Sequence, residues 1–198
     1  MNTIAVLGKG RVGAALAAGL TRAGHQVAVG DRTPGSVEQA LAAAETVINA
    51  TPGSDSLERL TALREALRGK VLIDVANATL AGPDGLPAQL LYPGSSLAER
   101  LQAALPETRV VKTLNTMLSS VMADPASLAQ APTAFLSGDD PGAKQVVREL
   151  LGDLGWRPEW LLDLGGIQTA RATEAMMLVV PHVIRARGFA PFAVAIAG

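Results

Sequence analysis

Three glycines at positions 8, 10 and 13 fall between the apolar run TIAVL and the alanine-rich stretch AALAAGL. This spacing suits a strand that turns sharply into a helix. Gly8 permits the tight turn, Gly10 lets the backbone approach a ligand, and Gly13 lets the helix pack closely on the strand. A helix starting here offers unpaired N–H groups and a partial positive charge, which together hold a diphosphate. The candidate cofactor-binding residues therefore begin with Gly8, Lys9, Gly10, Arg11, Val12 and Gly13.

The next apolar run, QVAVG, stops at Asp31, Arg32 and Thr33. An acid here suits the ribose 2′-hydroxyl of NAD. Arg32 suits the 2′-phosphate of NADP, with Thr33 adding a hydroxyl donor. A carboxylate turned toward that phosphate would repel it, and Asp31 has the alternative of capping the following turn and facing solvent. On balance the residues favour NADP(H) over NAD(H).

Further candidates follow from where ligands sit in such folds, beyond the carboxyl ends of the strands. Thr51 and Pro52 follow the third apolar run, Asn77 the fourth, and Asn115, Thr116 and Met117 the fifth. Thr51 and Pro52 would border the nicotinamide ribose. Asn77 and Asn115 would fix the carboxamide or the substrate, although asparagine also forms ordinary turns. Asn77, Asn115, Thr116 and Met117 are thus the substrate-side candidates, and no catalytic acid or base is assigned. Lys112, in or near a strand, needs a carboxylate partner or access to the cleft. Arg171 and Glu174 stand three apart on an expected helix, where they pair with each other or contact substrate. His25 and His182 read as structural, His182 in the core or at an interface.

The elements that must position these residues alternate. Runs at 3–7, 26–30, 46–50, 70–75, 109–114 and 133–137 read as strands, most of them continuously apolar, as parallel strands buried on both faces are. Between them Val12, Leu16, Leu20 and Ala23 share one helical face, as do Leu57, Leu60 and Leu67. Val146, Val147, Leu150, Leu151 and Leu154 form the cleanest stripe, with Asp140 as N-cap and Pro141 in the first turn. A further strand is expected within 156–163. The expectation is an α/β fold: a Rossmann-type doubly wound parallel sheet with a small helical C-terminal portion. Residues 1–138 would form the dinucleotide-binding core. Residues 139–198 would close the cleft and supply a dimer interface. The Gly/Pro-rich stretch 76–96 reads as a long loop, and the last helix is expected to break or bend at Pro181.

Composition narrows the classes. The 198 residues carry 17 basic and 18 acidic side chains, a net charge of −1 that offers no basic surface for nucleic acid. With 0 cysteines and 2 isolated histidines, no disulfide, thiolate or histidine-rich metal site is expected. Gly8, Lys9 and Arg11 interrupt the first apolar run too early for a signal peptide, and Arg185 and Arg187 split the last one, so no membrane span is expected and the expected compartment is the cytoplasm.

Two blocks sharpen the reading. SSLAERLQAALPETRVVKTLNTM has a Ser-x-x-Glu helix leading to Val-Val-Lys and then Asn-Thr. SGDDPGAKQVVRELLGDLGWRPEWLLDLGGIQTARATEAMMLVVP has Gly-Asp-Asp, an amphipathic helix, Asp-x-Gly and Arg-x-x-Glu before a proline. With the glycine loop, these blocks resemble the NADP oxidoreductase, coenzyme F420-dependent family, in the family's order and over nearly the whole chain. The resemblance implies hydride transfer between NADP(H) and a deazaflavin or flavin, commonly in a homodimer. It extends to the cytoplasmic domain of six-transmembrane ferric reductases. The chain departs from the family at Asp31, where a small hydroxyl residue usually precedes the arginine, and in its ending RGFAPFAVAIAG. Two other readings share the glycine loop: an NAD(P)H-dependent reductase of a small carbonyl or imine compound, and a non-catalytic NADP(H)-binding sensor.

Overall fold

A computed structural model describes residues 3–197. Continuously apolar strands need cover on both faces, and the sheet is built to supply it. Its strands are β1 (Thr3–Leu7), β2 (Gln26–Gly30), β3 (Thr46–Asn49), β4 (Val71–Asp74), β7 (Arg109–Lys112), β8 (Ala134–Ser137) and β9 (Leu161–Gly165), while β5 (Thr79–Ala81) and β6 (Pro87–Leu90) form a separate hairpin. The order across the seven-stranded sheet is β2-β1-β3-β4-β7-β8-β9. Chain direction reverses its lateral progress between β1 and β3, which creates a crevice at their carboxyl ends, where the glycine loop lies.

The helices are α1 (Arg11–Arg22), α2 (Ser36–Ala42), α3 (Gly53–Ala62), α4 (Arg64–Leu67), α5 (Leu97–Ala104), α6 (Ser119–Ala123), α7 (Pro141–Asp153), α8 (Ala170–Ala175) and α9 (Val180–Arg187). Period-two alternation in the strands sorts the core into two layers. Ile4, Val6, Ile73 and Val111 meet Leu16 and Leu20 of α1, Val121 of α6 and Val147 and Leu151 of α7. Ala5, Leu7, Leu72 and Val110 meet Leu41 of α2, Leu60 of α3, Leu67 of α4, Leu97 and Leu101 of α5, and Ala170 of α8. The Asp140 carboxylate accepts from the Ala143 N–H at 2.6 Å and caps α7 as its sequence predicts.

Three expectations are corrected. The sheet is not wholly parallel: β8 meets β7 antiparallel at Lys112 and Ser137, and β9 then runs parallel to β8. The stretch 76–96 is not a structureless loop, because β5 and β6 pair antiparallel across it. The Gly82 N–H donates to the Leu86 carbonyl at 2.8 Å, and Gly85 takes a left-handed φ of 74°, so the glycines close a turn. Of the two alternatives for His182, core or interface, the core one is corrected: the residue is exposed on α9. The break near Pro181 is present as expected: Met176–Val179 tightens to a 3-10 turn before Pro181 opens α9. Among the described residues no helix is long and apolar enough to cross a membrane.

Candidate functional site

The glycine loop joins β1 to α1. A Cβ on Gly13 would lie 1.9 Å from the Gly8 carbonyl oxygen, and one on Gly8, at φ 109°, 2.5 Å from the Ala50 oxygen. Both positions require glycine because the loop packs against itself and against the end of β3. Gly10 differs: a Cβ there would meet nothing within 4 Å, so its missing side chain leaves open space beside the backbone. Gly10 is the N-cap of α1, no side chain caps that end, and Ala14 N makes the first helical bond back to Gly10. The leading N–H groups of a twelve-residue helix thus lack intrahelical partners at a bare cradle. This geometry fits a dinucleotide diphosphate.

The Asp31 puzzle has a structural answer. Its Oδ1 accepts from the Thr33 N–H at 2.8 Å and from the Ser36 hydroxyl at 3.2 Å. Its Oδ2 lies 3.6 Å from Lys9 Nζ. Thr33, by side chain and by backbone N–H, lowers the Asp31 pKa to about 2, with Ser36 and Lys9 adding to the effect. The carboxylate therefore holds the turn after β2 and is half-buried rather than solvent-facing. Arg32 is exposed, and among the described residues no carboxylate pairs with it. Lys9, Gly13, Ala14, Val29 and Asp31 line a cavity of about 410 Å³ at this corner.

The ends of β3, β4 and β7 carry a buried polar row. Asn49 stands opposite Asp74, and Asp74 opposite Lys112. Lys112 Nζ donates to Asp74 Oδ2 at 2.9 Å, to Glu174 Oε1 at 2.8 Å and to the Ala76 carbonyl. These three side chains are 0 to 3% exposed. Burial opposes the Lys112 charge, but the two carboxylates outweigh it and raise its pKa. Lys112 thus takes the carboxylate-paired alternative. The Arg171–Glu174 pairing expected from their spacing does not form: Glu174 turns inward to Lys112 and accepts from the Leu97 N–H, whereas Arg171 turns outward to Glu99. Leu97 opens α5, so that helix N-terminus helps neutralise the second carboxylate. His25 pairs with Asp153 at 2.9 Å, a structural contact as expected.

Thr51 and Pro52 lie directly past this row. The Thr51 hydroxyl is 2.6 Å from Asn49 Oδ1 and 2.8 Å from the Ser56 hydroxyl. A Cβ on Gly53 would fall 2.1 Å from the Asn77 carbonyl oxygen, so the loop after β3 sits directly on Asn77. Asn77 and Asn115 exchange hydrogen bonds: Asn77 Nδ2 donates to the Asn115 carbonyl and Asn115 Nδ2 to Asn77 Oδ1, each at 2.9 Å. Leu114, buried at φ 59°, holds the bend that presents Asn115. The structure thus brings together the glycine loop, Thr51, Asn77 and Asn115 at one edge. Thr116 and Met117 are buried and engage the C-terminal tail, the Thr116 carbonyl accepting from Val194 N at 3.2 Å and Met117 bridging Ala193. Ala193 and Phe192 help line a cavity of about 390 Å³ with Leu128, Pro132 and Arg187.

Sequence reasoning missed Asn49, Ser56 and Asp74. Two of them carried a readable signal, since TVIN and VLID are apolar strands that each end in one polar residue.

A sequence profile described as NADP oxidoreductase coenzyme F420-dependent matches residues 3–45, the glycine loop and the Asp31 turn. A crystal structure of a candidate F420-dependent NADP-reductase from Arthrobacter sp. FB24 is 38% identical, superposes with a TM-score of 0.90 and covers 100% of both chains. The chain belongs to this family. It is accordingly an NAD(P)H-dependent oxidoreductase of Rossmann-like fold. Among curated relatives, the F420-dependent NADP reductase of Methanocaldococcus jannaschii is 28% identical over 134 residues, 67% of this chain. Metalloreductase STEAP3 of Rattus norvegicus is 29% identical over 189 residues, 88% of this chain. The chain spans 36% of the metalloreductase and 58% of the reductase.

Proposed function

We propose that this family member transfers a hydride between NADP(H) and a deazaflavin or flavin. The bare cradle at Gly10, beside an uncapped α1, carries the reading. The N–H groups of residues 10–13 would hold the diphosphate. Arg32, Thr33 and Lys9 would hold the adenosine 2′-phosphate. The preference for NADP is supported by Asp31, whose oxygens are already engaged by Thr33, Ser36 and Lys9, while no carboxylate among the described residues pairs with Arg32.

When bound, the nicotinamide supplies the hydride chemistry, and the protein's part is position and electrostatics. Thr51, Asn77 and Asn115 would orient the nicotinamide end, and the 139–198 segment would close the cleft from the tail side. Exposed Phe189 and Ile196, 68% and 59% accessible, support a homodimer contact there. The carbonyl or imine reductase reading requires a proton donor at the substrate. Lys112, the buried ammonium nearest this edge, spends all three of its N–H bonds on Asp74, Glu174 and Ala76, which supports a redox partner that needs no proton from the protein.

The test is anaerobic mixing of the protein with NADPH and either oxidised coenzyme F420 or FMN. The expected result is stoichiometric loss of the reduced-nicotinamide absorbance with bleaching of the acceptor. No turnover with either acceptor overturns the reading.

A further inference from the structure

Asn49, Asp74 and Lys112 occupy one row across three neighbouring strands, and proton bookkeeping along that row has a consequence at Thr51. Every partner of Asp74 is a donor: Lys112 Nζ at 2.9 Å, Asn49 Nδ2 at 2.9 Å and the Ala76 N–H at 3.2 Å. Both Asp74 oxygens thus act as acceptors, and they fix the Asn49 amide with its NH2 inward. The only acceptor of that amide, Oδ1, then faces the loop after β3, where it accepts from the Thr51 N–H at 3.2 Å. A carbonyl oxygen carries no proton, so the 2.6 Å contact with the Thr51 hydroxyl has the threonine proton on it. With that proton committed, Thr51 cannot donate across its 2.8 Å contact with the Ser56 hydroxyl, whose one proton is shared between Thr51 Oγ1 and the Pro52 carbonyl at 3.0 Å while its oxygen accepts from Asn49 Nδ2 at 3.1 Å. Thr51 Oγ1 is left with lone-pair capacity only, on a half-buried residue at the cleft.

We propose that Lys112, Asp74 and Asn49 form a polarity relay that fixes the Thr51 hydroxyl as a hydrogen-bond acceptor toward the nicotinamide nucleoside. Lys112, Asp74 and Asn49 are positioning residues, and Thr51 is the residue that touches the ligand. The group it recognises is a donor of that nucleoside, a ribose O–H or the carboxamide N–H. This inference rests on the proposed use of a nicotinamide nucleotide.

Replacing Asp74 by asparagine reverses the relay. Lys112 keeps the side-chain oxygen of residue 74, so the new NH2 faces Asn49. The Asn49 amide then turns over, and Thr51 loses the acceptor that held its proton.

The test is a double-mutant cycle on the dissociation constant of NADPH, read by equilibrium binding without an acceptor. Thr51→Val is expected to weaken NADPH about tenfold, the scale of one hydrogen bond, and Thr51→Ser to restore most of that loss. Asp74→Asn is expected to weaken it about as much, and the double variant no further than either single one. Multiplied losses in the double variant, or wild-type affinity in Asp74→Asn, overturn the relay while leaving the proposed function standing. Wild-type protein that binds no NADPH defeats both. Should Asp74→Asn fail to fold, Asn49→Ala replaces it in the same cycle under the same two criteria. The carboxylic-acid analogue of NADPH separates the donors. Equal loss for both nucleotides in Thr51→Val assigns the ribose O–H, and loss confined to NADPH assigns the carboxamide.

Discussion

Lys112 and Glu174, 62 residues apart in sequence, meet at 2.8 Å in the interior of the protein. This contact ties the end of β7 to α8, so the C-terminal portion is anchored to the sheet by charge as well as by packing. The arrangement places two carboxylates on one ammonium, and the N-terminus of α5 takes up part of the excess.

Removing the cation of this buried set leaves two carboxylates uncompensated, so Lys112→Met is expected to destabilise the protein by about 3–5 kcal/mol, whereas Glu174→Gln leaves the Lys112–Asp74 pair neutral and is expected to cost less. Denaturant unfolding monitored by circular dichroism measures this directly. The pH dependence has a definite sign. The Lys112 pKa is raised above its ordinary 10.5, so its contribution is complete below the unfolded-state value and falls away as pH rises through the higher native value. Alkaline unfolding of the wild type is expected to lie at higher pH than that of Glu174→Gln.

The two kinds of glycine in the first loop are expected to separate cleanly. Gly13→Ala places a Cβ against the backbone oxygen of Gly8, which has no flexible end to yield, so this variant is expected to lose folded protein. Gly10→Ala places a Cβ with nothing within 4 Å among the described residues and is expected to retain its melting temperature within a few degrees. Its NADPH affinity is expected to drop at least tenfold, because the methyl group stands where the diphosphate approaches. Thermal melts and equilibrium binding on both variants read the difference.

Asp31 titrates at about 2 because Thr33 and Ser36 donate to its ionised form. Its contribution to the turn is present above the ordinary carboxylate value of 3.8 and is lost as pH falls through the lower native value. A carboxyl-detected NMR titration is expected to place the midpoint near 2. A midpoint near 3.8 would show that the hydrogen bonds from Thr33 and Ser36 are not maintained in solution.

Arg32→Ala is expected to weaken NADPH by about 10- to 100-fold, the scale of charge-assisted hydrogen bonds to a phosphate, and to leave NADH within about twofold. Equal losses for both nucleotides would move Arg32 away from the 2′-phosphate.

Legibility followed distance along the chain. The β1-turn-α1-β2 unit was readable because its glycines, apolar runs and terminal Asp31 act within a short segment. The direction of β8 was not, since AFLS is buried in either orientation and nothing in its composition records which way it runs. The β5/β6 hairpin was hidden because its strands are short and lie among prolines and glycines, where local pattern resembles a loop. Arg171 and Glu174 were paired by helical spacing. Spacing gives a shared face, but burial decided the partners, because a carboxylate turned to the interior meets Lys112 before it can meet a neighbour on its own helix. The Asn49–Asp74–Lys112 row depends on strand order, which no single segment reveals.

The most direct test of the account is a titration of the backbone amide resonances of residues 8–14 with NADPH. Saturable shifts are expected to centre on Gly10, Arg11, Val12 and Gly13, with a separate response at Arg32 and Thr33 that NADH does not reproduce. Saturable NADPH binding that leaves these amides unmoved would contradict it.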